Sequence, residues 1–239
     1  LGGAVGASTT QSGTIDVEAL LGKGVSLTGR SIDVGATSTN NATGDVDGTG
    51  GGVFAGVGSQ VAQTDLYSTT IARSGDSTAA HPGALHATQG ATFHATGNEG
   101  GSSSTTGGAG GTIGAGGTEN HFLIHAPLIA VAVGDHTTID LGGDLTLLAN
   151  DNATFSSSSD QSGGGVGASQ DAYAEARLTD ETIKADLGNN VTGSAANLVV
   201  HAWQSNVNVK SDATAKAFAA VAFAYAYTHA DAYTNSLIH

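Results

Sequence analysis

The sequence predicts an all-β fold, a parallel β-helix or β-solenoid built from repeats of about 54 residues. Three landmarks in fixed order carry this reading. A junction of the form Ala-x-x-Gly, followed by Lys, Asp or Asn, recurs at Ala19–Lys23, Ala72–Asp76, Ala132–Asp135 (one residue shorter) and Ala185–Asn189. Its glycines, Gly22, Gly75, Gly134 and Gly188, lie 53, 59 and 54 residues apart. An apolar strand ends in Ala once per period, at Ala36, Ala95, Ala149 and Ala202, and a glycine tract follows at Gly50–Gly52, Gly107–Gly111 and Gly163–Gly165. A tandem period of this length with short strands and turn residues is the mark of a solenoid, in which stacked copies share one core.

The chain is read as a single solenoid domain over 1–239. Its repeats are about 1–21 (partial), 22–74, 75–133, 134–187 and 188–239. Residues 1–21 match the second half of a copy, with Gly2–Ser8 resembling Gly164–Ser169 and Thr14–Ala19 alternating apolar and polar, the period of a half-buried strand. Each copy opens with two short alternating strands, Val25–Leu27 and Ile32–Val34 in one, Thr138–Leu141 and Leu145–Leu147 in another. A Ser/Thr/Asn segment, the glycine tract, an Ala-rich strand (Val53–Val61, Val166–Ala176) and a closing strand (Thr69–Ala72, Thr182–Ala185) complete it, so four or five short strands are expected per copy. With two to three coils per copy, the rod would be about 50 Å long. Thr, Ser and Asn would stack on its outer faces, and inward Ala would make the core thin.

Two segments are less regular. The second copy is longer and carries the Gly/Ser/Thr tract Ser102–Gly117, read as a loop-like excursion over 97–120. Pro127, in the apolar run Phe122–Val133, has no N–H for a ladder and is expected at a strand end, edge or corner. In the last copy, Ala alternates with Phe218, Val221, Phe223, Tyr225 and Tyr227. That pattern predicts a strand, with a bulge or corner where the parity slips at Ala219-Ala220; a helix is the rival, since Ala is the best helix former.

Composition narrows the function classes. The chain has 239 residues, 37 Gly, 2 Pro, no Cys, no Met, and a formal charge of −14 from 21 acidic and 7 basic residues. Seven scattered cations cannot neutralise a phosphate backbone, so nucleic acid is not an expected partner, and an anionic membrane surface is disfavoured for the same reason. No apolar run approaches the ~20 residues that span a bilayer, so no membrane insertion is expected. An acidic chain without Cys fits a protein exported from a bacterium. The start at Leu1 is read as that of a processed or excised portion of a longer protein.

Sites of chemistry are sparse. His121 and His125 are four apart and His86 and His94 eight apart, offsets that share a strand face, but no carboxylate or Cys is expected to cluster with them. Asp45 and Asp47, beside Gly48 and Gly50–Gly52, are weak calcium candidates; neither the tandem nonapeptide nor the twelve-residue loop is present. No dedicated metal, cofactor or catalytic residue is assigned, and no enzyme is expected: Asp180-Glu181 and similar pairs read as solvated turns.

The sequence around Gly142-Gly143-Asp144-Leu145-Thr146-Leu147-Leu148-Ala149 and Ala196-Asn197-Leu198-Val199-Val200-His201-Ala202 resembles the repeat region of large bacterial filamentous adhesins, the filamentous-haemagglutinin-like and leukotoxin-like exoproteins. The resemblance implies a right-handed β-helix, an extracellular or cell-surface location, and adhesion or matrix building. The expected function is a non-catalytic segment of an extracellular fibre. Its expected partners are itself, end to end or laterally, and cell-surface glycans or proteins. The alternative is a host- or glycan-binding adhesin module with specificity in the 97–120 loop.

Overall fold

A computed structural model describes residues 2–239, and it is a parallel β-solenoid. The fourteen strands in chain order are β1 (Gly2–Leu21), β2 (Ser26–Gly29), β3 (Ile32–Thr37), β4 (Asn40–Gly51), β5 (Ala55–Ser74), β6 (Gly83–Ala87), β7 (Ala91–Gly110), β8 (Ile113–Val133), β9 (Thr137–Leu141), β10 (Leu145–Gly164), β11 (Gly167–Leu187), β12 (Thr192–Ser194), β13 (Leu198–Phe218) and β14 (Val221–Ile238). They form three parallel sheets. One long sheet runs β1-β5-β8-β11-β14, the other runs β3/β4-β7-β10-β13, and a short sheet runs β2-β6-β9-β12. The long sheets face each other, β7 on β8 and β10 on β11.

Each repeat makes one coil, not two or three. Leu145 pairs with Ala91 in the coil before it and with Leu198 in the coil after it, and Gly167 pairs with Ile113 and Val221. One copy is therefore a short strand, a long strand out and a long strand back. The solenoid is a flat slab, with strands about 66 Å long stacked to a height of about 20 Å. The expected four or five short strands merge because backbone pairing, not side-chain hydrophobicity, keeps a strand going. The Ala-rich and closing strands are one element, Ala55–Ser74 or Gly167–Leu187.

The Ser/Thr/Asn and glycine tracts are also strand. The 97–120 segment is the end of β7, a turn at Gly111-Thr112, and the start of β8, with burial that alternates over most of its length, so the expected loop there is overturned. The glycine tracts mark the corner where one long sheet turns into the other, at Gly52–Phe54, Gly111-Thr112 and Gly165-Val166, and Ala219-Ala220 takes that place in the last coil. The extra length of the second copy sits chiefly at another corner, 75–82, where Thr78 and His81 form an isolated antiparallel bridge. The predicted corner at Ala219-Ala220 is found, and the Ala-rich segment is strand on both sides of it. The partial first copy pairs with β5 as expected, but Gly2 stands in the column of Gly167, four residues off the apparent match of Ser8 with Ser169.

Pro127 lies inside a central strand, not at an end, edge or corner. A bulge accommodates it: pairing skips between Tyr67/Thr69 and His125/Leu128, and Ala126 takes φ 44°. The same site in β11 has Asp180 at φ 54°, with pairing to β14 skipping between Leu178 and Glu181. The missing proline N–H costs nothing where the ladder is already interrupted.

The core changes character along the long strands. Next to the short sheet it is apolar, with Phe93, Ile129, Val131, Leu147 and Ile183 fully enclosed. Beyond the bulge comes a smaller cluster, in which Phe122 stacks on Phe155 with ring centroids 5.2 Å apart. Further out the interior is polar. The Ser159 hydroxyl bonds to that of Thr118 at 2.7 Å, and Ser103 donates to Asn120 at 2.6 Å. Nearest the glycine corner, inward glycines leave room for glutamines: a Cβ on Gly107 would collide with Gln60 of the facing sheet and with Gln161, its register neighbour on β10. Ser, Thr and Asn thus line the interior as well as the outer faces, because alternation sends every second one inward.

Candidate functional site

Two groups of side chains stand out, one inside the slab and one on its outer face. The interior group lies at the level of the bulges, between the two apolar clusters. Glu99 comes from β7, Asp151 from β10 and Glu181 from β11, at 2%, 0% and 0% exposure. Asp151 stands in register with Gly97, and a side chain at Gly97 would run into the Asp151 carboxylate. Glycine there is what makes space for the acid. Glu99 stands two residues further along β7, diagonal to Asp151, while Glu181 reaches in from the facing sheet.

The neighbours supply few donors and no positive charge. Ser68 of β5 donates to Glu99 Oε1 at 2.5 Å, and Gln204 of β13 donates to Glu181 Oε2 at 2.7 Å. Both oxygens of Asp151, Oε2 of Glu99 and Oε1 of Glu181 have no hydrogen-bond donor among the described residues. Burial, with Asp151 hydrogen-bonded alongside, pushes Glu99 up to about 9. Burial pushes Asp151 up to about 7 and Glu181 up to about 7. A buried carboxylate without cations is costly, so the group retains protons, and a proton lets one carboxyl donate to the next. Protons shared across the trio thus satisfy the otherwise unpaired oxygens, and its titration belongs to the set rather than to one residue.

The outer group runs across the sheet that holds β5, β8, β11 and β14. His121 Nδ1 lies 2.8 Å from Glu175 Oε2, and His229 Nδ1 lies 3.6 Å from the other Glu175 oxygen. Arg177 pairs with Glu175 at 3.4 Å, and Tyr173 packs against the His121 ring at 5.3 Å. Burial, then the nearby Glu175, raises the Tyr173 phenol above its ordinary value. Two residues further along the same face from Arg177's neighbour Leu123, His125 Nε2 bonds to Asp65 at 2.8 Å and its ring stacks on Tyr67 at 4.9 Å.

This corrects the reading that no carboxylate clusters with the histidines. The acids are 54 and 60 residues away in sequence and one coil away in space. His86 and His94 do not share a strand: one is in β6, the other in β7, and they pair with Asp140 at 3.5 Å and Asp33 at 3.3 Å. Asp45 and Asp47 both face outward on β4, and Ser104 donates to Asp45. Among the described residues, no three His, Cys, Asp or Glu side chains converge as a metal-binding group. Glu181, read as part of a solvated turn, is instead fully buried, because the bulge at Asp180 turns it inward.

Comparison with protein-family models, curated proteins and solved structures finds no match for this chain.

Proposed function

We propose that this chain is a structural segment of an extracellular bacterial fibre, of the filamentous-adhesin kind, acting through its shape and through self-association. The observation that carries the proposal is the coil geometry. Every repeat closes one coil in parallel register, and the flanking strands β1 and β14 each leave a row of backbone N–H and C=O groups unpaired within the described solenoid. Such an edge accepts a further coil by strand addition, from the same chain or from a second copy. The core columns continue to the edges: Ala222, Ala224 and Ala226 stand over buried Ala168, Gln170 and Ala172.

A second reading, a glycan-binding module, has one supporting observation. Tyr173 and Tyr227 are register neighbours on the outer face, and Tyr225 and Phe223 extend the row. Aromatic rings on a flat face suit sugar rings; this relocates specificity from 97–120 to the outward face of β11 and β14.

Negative-stain electron microscopy over a range of concentrations separates the two. Fibre function predicts particles that lengthen along the coil-stacking direction as concentration rises. Particles one slab tall at every concentration, with glycan binding lost in Tyr173→Ala/Tyr227→Ala, would overturn the fibre proposal and favour the second reading.

A further inference from the structure

The corner that joins the two long sheets repeats one chemical feature in successive coils. Val53 and Phe54, then Ile113, then Val166, then Phe218 and Val221 project from it, and these six side chains are 60–73% exposed. Strand register places them in adjacent columns: Ile113 and Val221 share one with Gly167, while Val166 stacks on Thr112 through its backbone N–H. The polar side chain in this stripe is already used, since the Thr112 hydroxyl donates to the Val53 carbonyl at 3.0 Å. The flanking glycines Gly51, Gly110 and Gly164 have no side chains to screen the stripe.

Charge is also excluded from this edge. No Asp, Glu, Lys or Arg occurs in 48–58, 101–118, 161–170 or 217–230, in a chain whose net charge is −14. With a net charge of −14 on each copy, like-charge repulsion between two copies is reduced where they approach by an edge without ionised side chains. At roughly 100 Å² per side chain, the stripe offers about 600 Å² on each copy, or about 1,200 Å² in a pair, the lower limit of a stable protein–protein interface. Both copies carry the same spacing of about 4.8 Å from coil to coil, so their side chains interdigitate at one pitch.

We propose that two copies of this chain pair side by side along this apolar corner, with Phe54 and Phe218 as the anchoring residues. This lateral contact is independent of coil addition at β1 and β14. It doubles the width of a particle without lengthening it.

The test is sedimentation equilibrium with negative-stain imaging of the full chain, its Phe54→Ser/Val166→Ser variant and a Tyr227→Ser control. Tyr227 is also exposed but lies outside the stripe, on the outer face of β14. Circular dichroism and melting of each variant confirm that the slab is intact; a single Phe54→Ser change serves if the double variant unfolds. The expected result is a dimer about 130 Å wide, twice the strand length. Its dissociation constant rises roughly a hundredfold in the stripe variant and is unchanged in the control. Single-width particles at all concentrations, or a stripe variant that pairs as tightly as the parent, would overturn the proposal. Lengthening at single width would overturn it while leaving coil addition standing, and widening without lengthening would do the reverse.

Discussion

Raising the pH should loosen this solenoid from within, through Glu99, Asp151 and Glu181. In the unfolded chain these groups ionise near 4.5, 3.8 and 4.5; in the slab Glu99 rises to about 9 and the other two to about 7. Between those limits the native state holds protons that the unfolded state has released, so stability falls as pH rises. The trio's contribution is whole below about pH 4; it declines as pH climbs towards about 7, and is fully lost only above about 9. Each group that is protonated only in the native state contributes a slope of about 1.4 kcal/mol per pH unit. Three together set an upper limit of about 4 kcal/mol per unit between pH 5 and 7. For a chain of this size that is a fall in Tm on the order of 10 °C per pH unit. The assay is melting by circular dichroism from pH 4 to 9 for the parent and for Asp151→Asn. The amide keeps the shape and donates to both neighbouring carboxyls, so the variant should have a shallower slope and a higher Tm than the parent at pH 8. A parent Tm that is flat or rising between pH 5 and 7, or an Asp151→Asn variant with the full slope, would show that the trio does not hold its protons in the folded slab.

Two further predictions concern backbone and packing. Valine at Gly107 would place its Cβ against the side-chain oxygens of Gln161 and Gln60 and 2.6 Å from the Thr118 methyl, so Gly107→Val should cost about 1–3 kcal/mol by denaturant melting. Adding Gln161→Ala should recover part of that loss, with a coupling of at least about 0.5 kcal/mol. Ala126, at φ 44° in the bulge, tolerates no β-branched residue: Ala126→Val should lower stability by about 1–2 kcal/mol or more, whereas Ala126→Gly should be near neutral.

What was legible in the sequence follows from what the backbone repeats. Gly22, Gly75, Gly134 and Gly188 marked the coil period because each sits where the chain leaves a long strand for the short sheet. Ala219-Ala220 betrayed its corner because side-chain parity must slip there. Coil size was not legible, since β10 runs from Leu145 to Gly164 through Ser156–Ser159, where inward and outward positions carry the same residue type. Hydrophobic alternation vanishes in such a stretch although the pleat continues. The glycine tracts read as loops for the same reason: Gly107 is an inward strand position whose missing side chain is replaced by a glutamine from across the core. The carboxylate trio left no signature at all. Glu99 and Asp151 are diagonal neighbours one coil apart, and Glu181 joins them only because a bulge at Asp180 rotates it inward.

An engineered cysteine pair reads out whether each repeat closes in one coil. The chain has no native cysteine, so Asp171→Cys/Tyr225→Cys creates a single pair. These positions are register partners on the exposed face of β11 and β14, with Cα atoms about 4.8 Å apart, inside the range a disulfide spans. One coil per repeat gives rapid, near-complete oxidation in the folded chain and none in an Asp171→Cys/Tyr227→Cys pair under the same conditions. If the first pair stays reduced while the chain is folded, the repeat does not close in one coil, and two or three coils would separate the residues by about 10–15 Å.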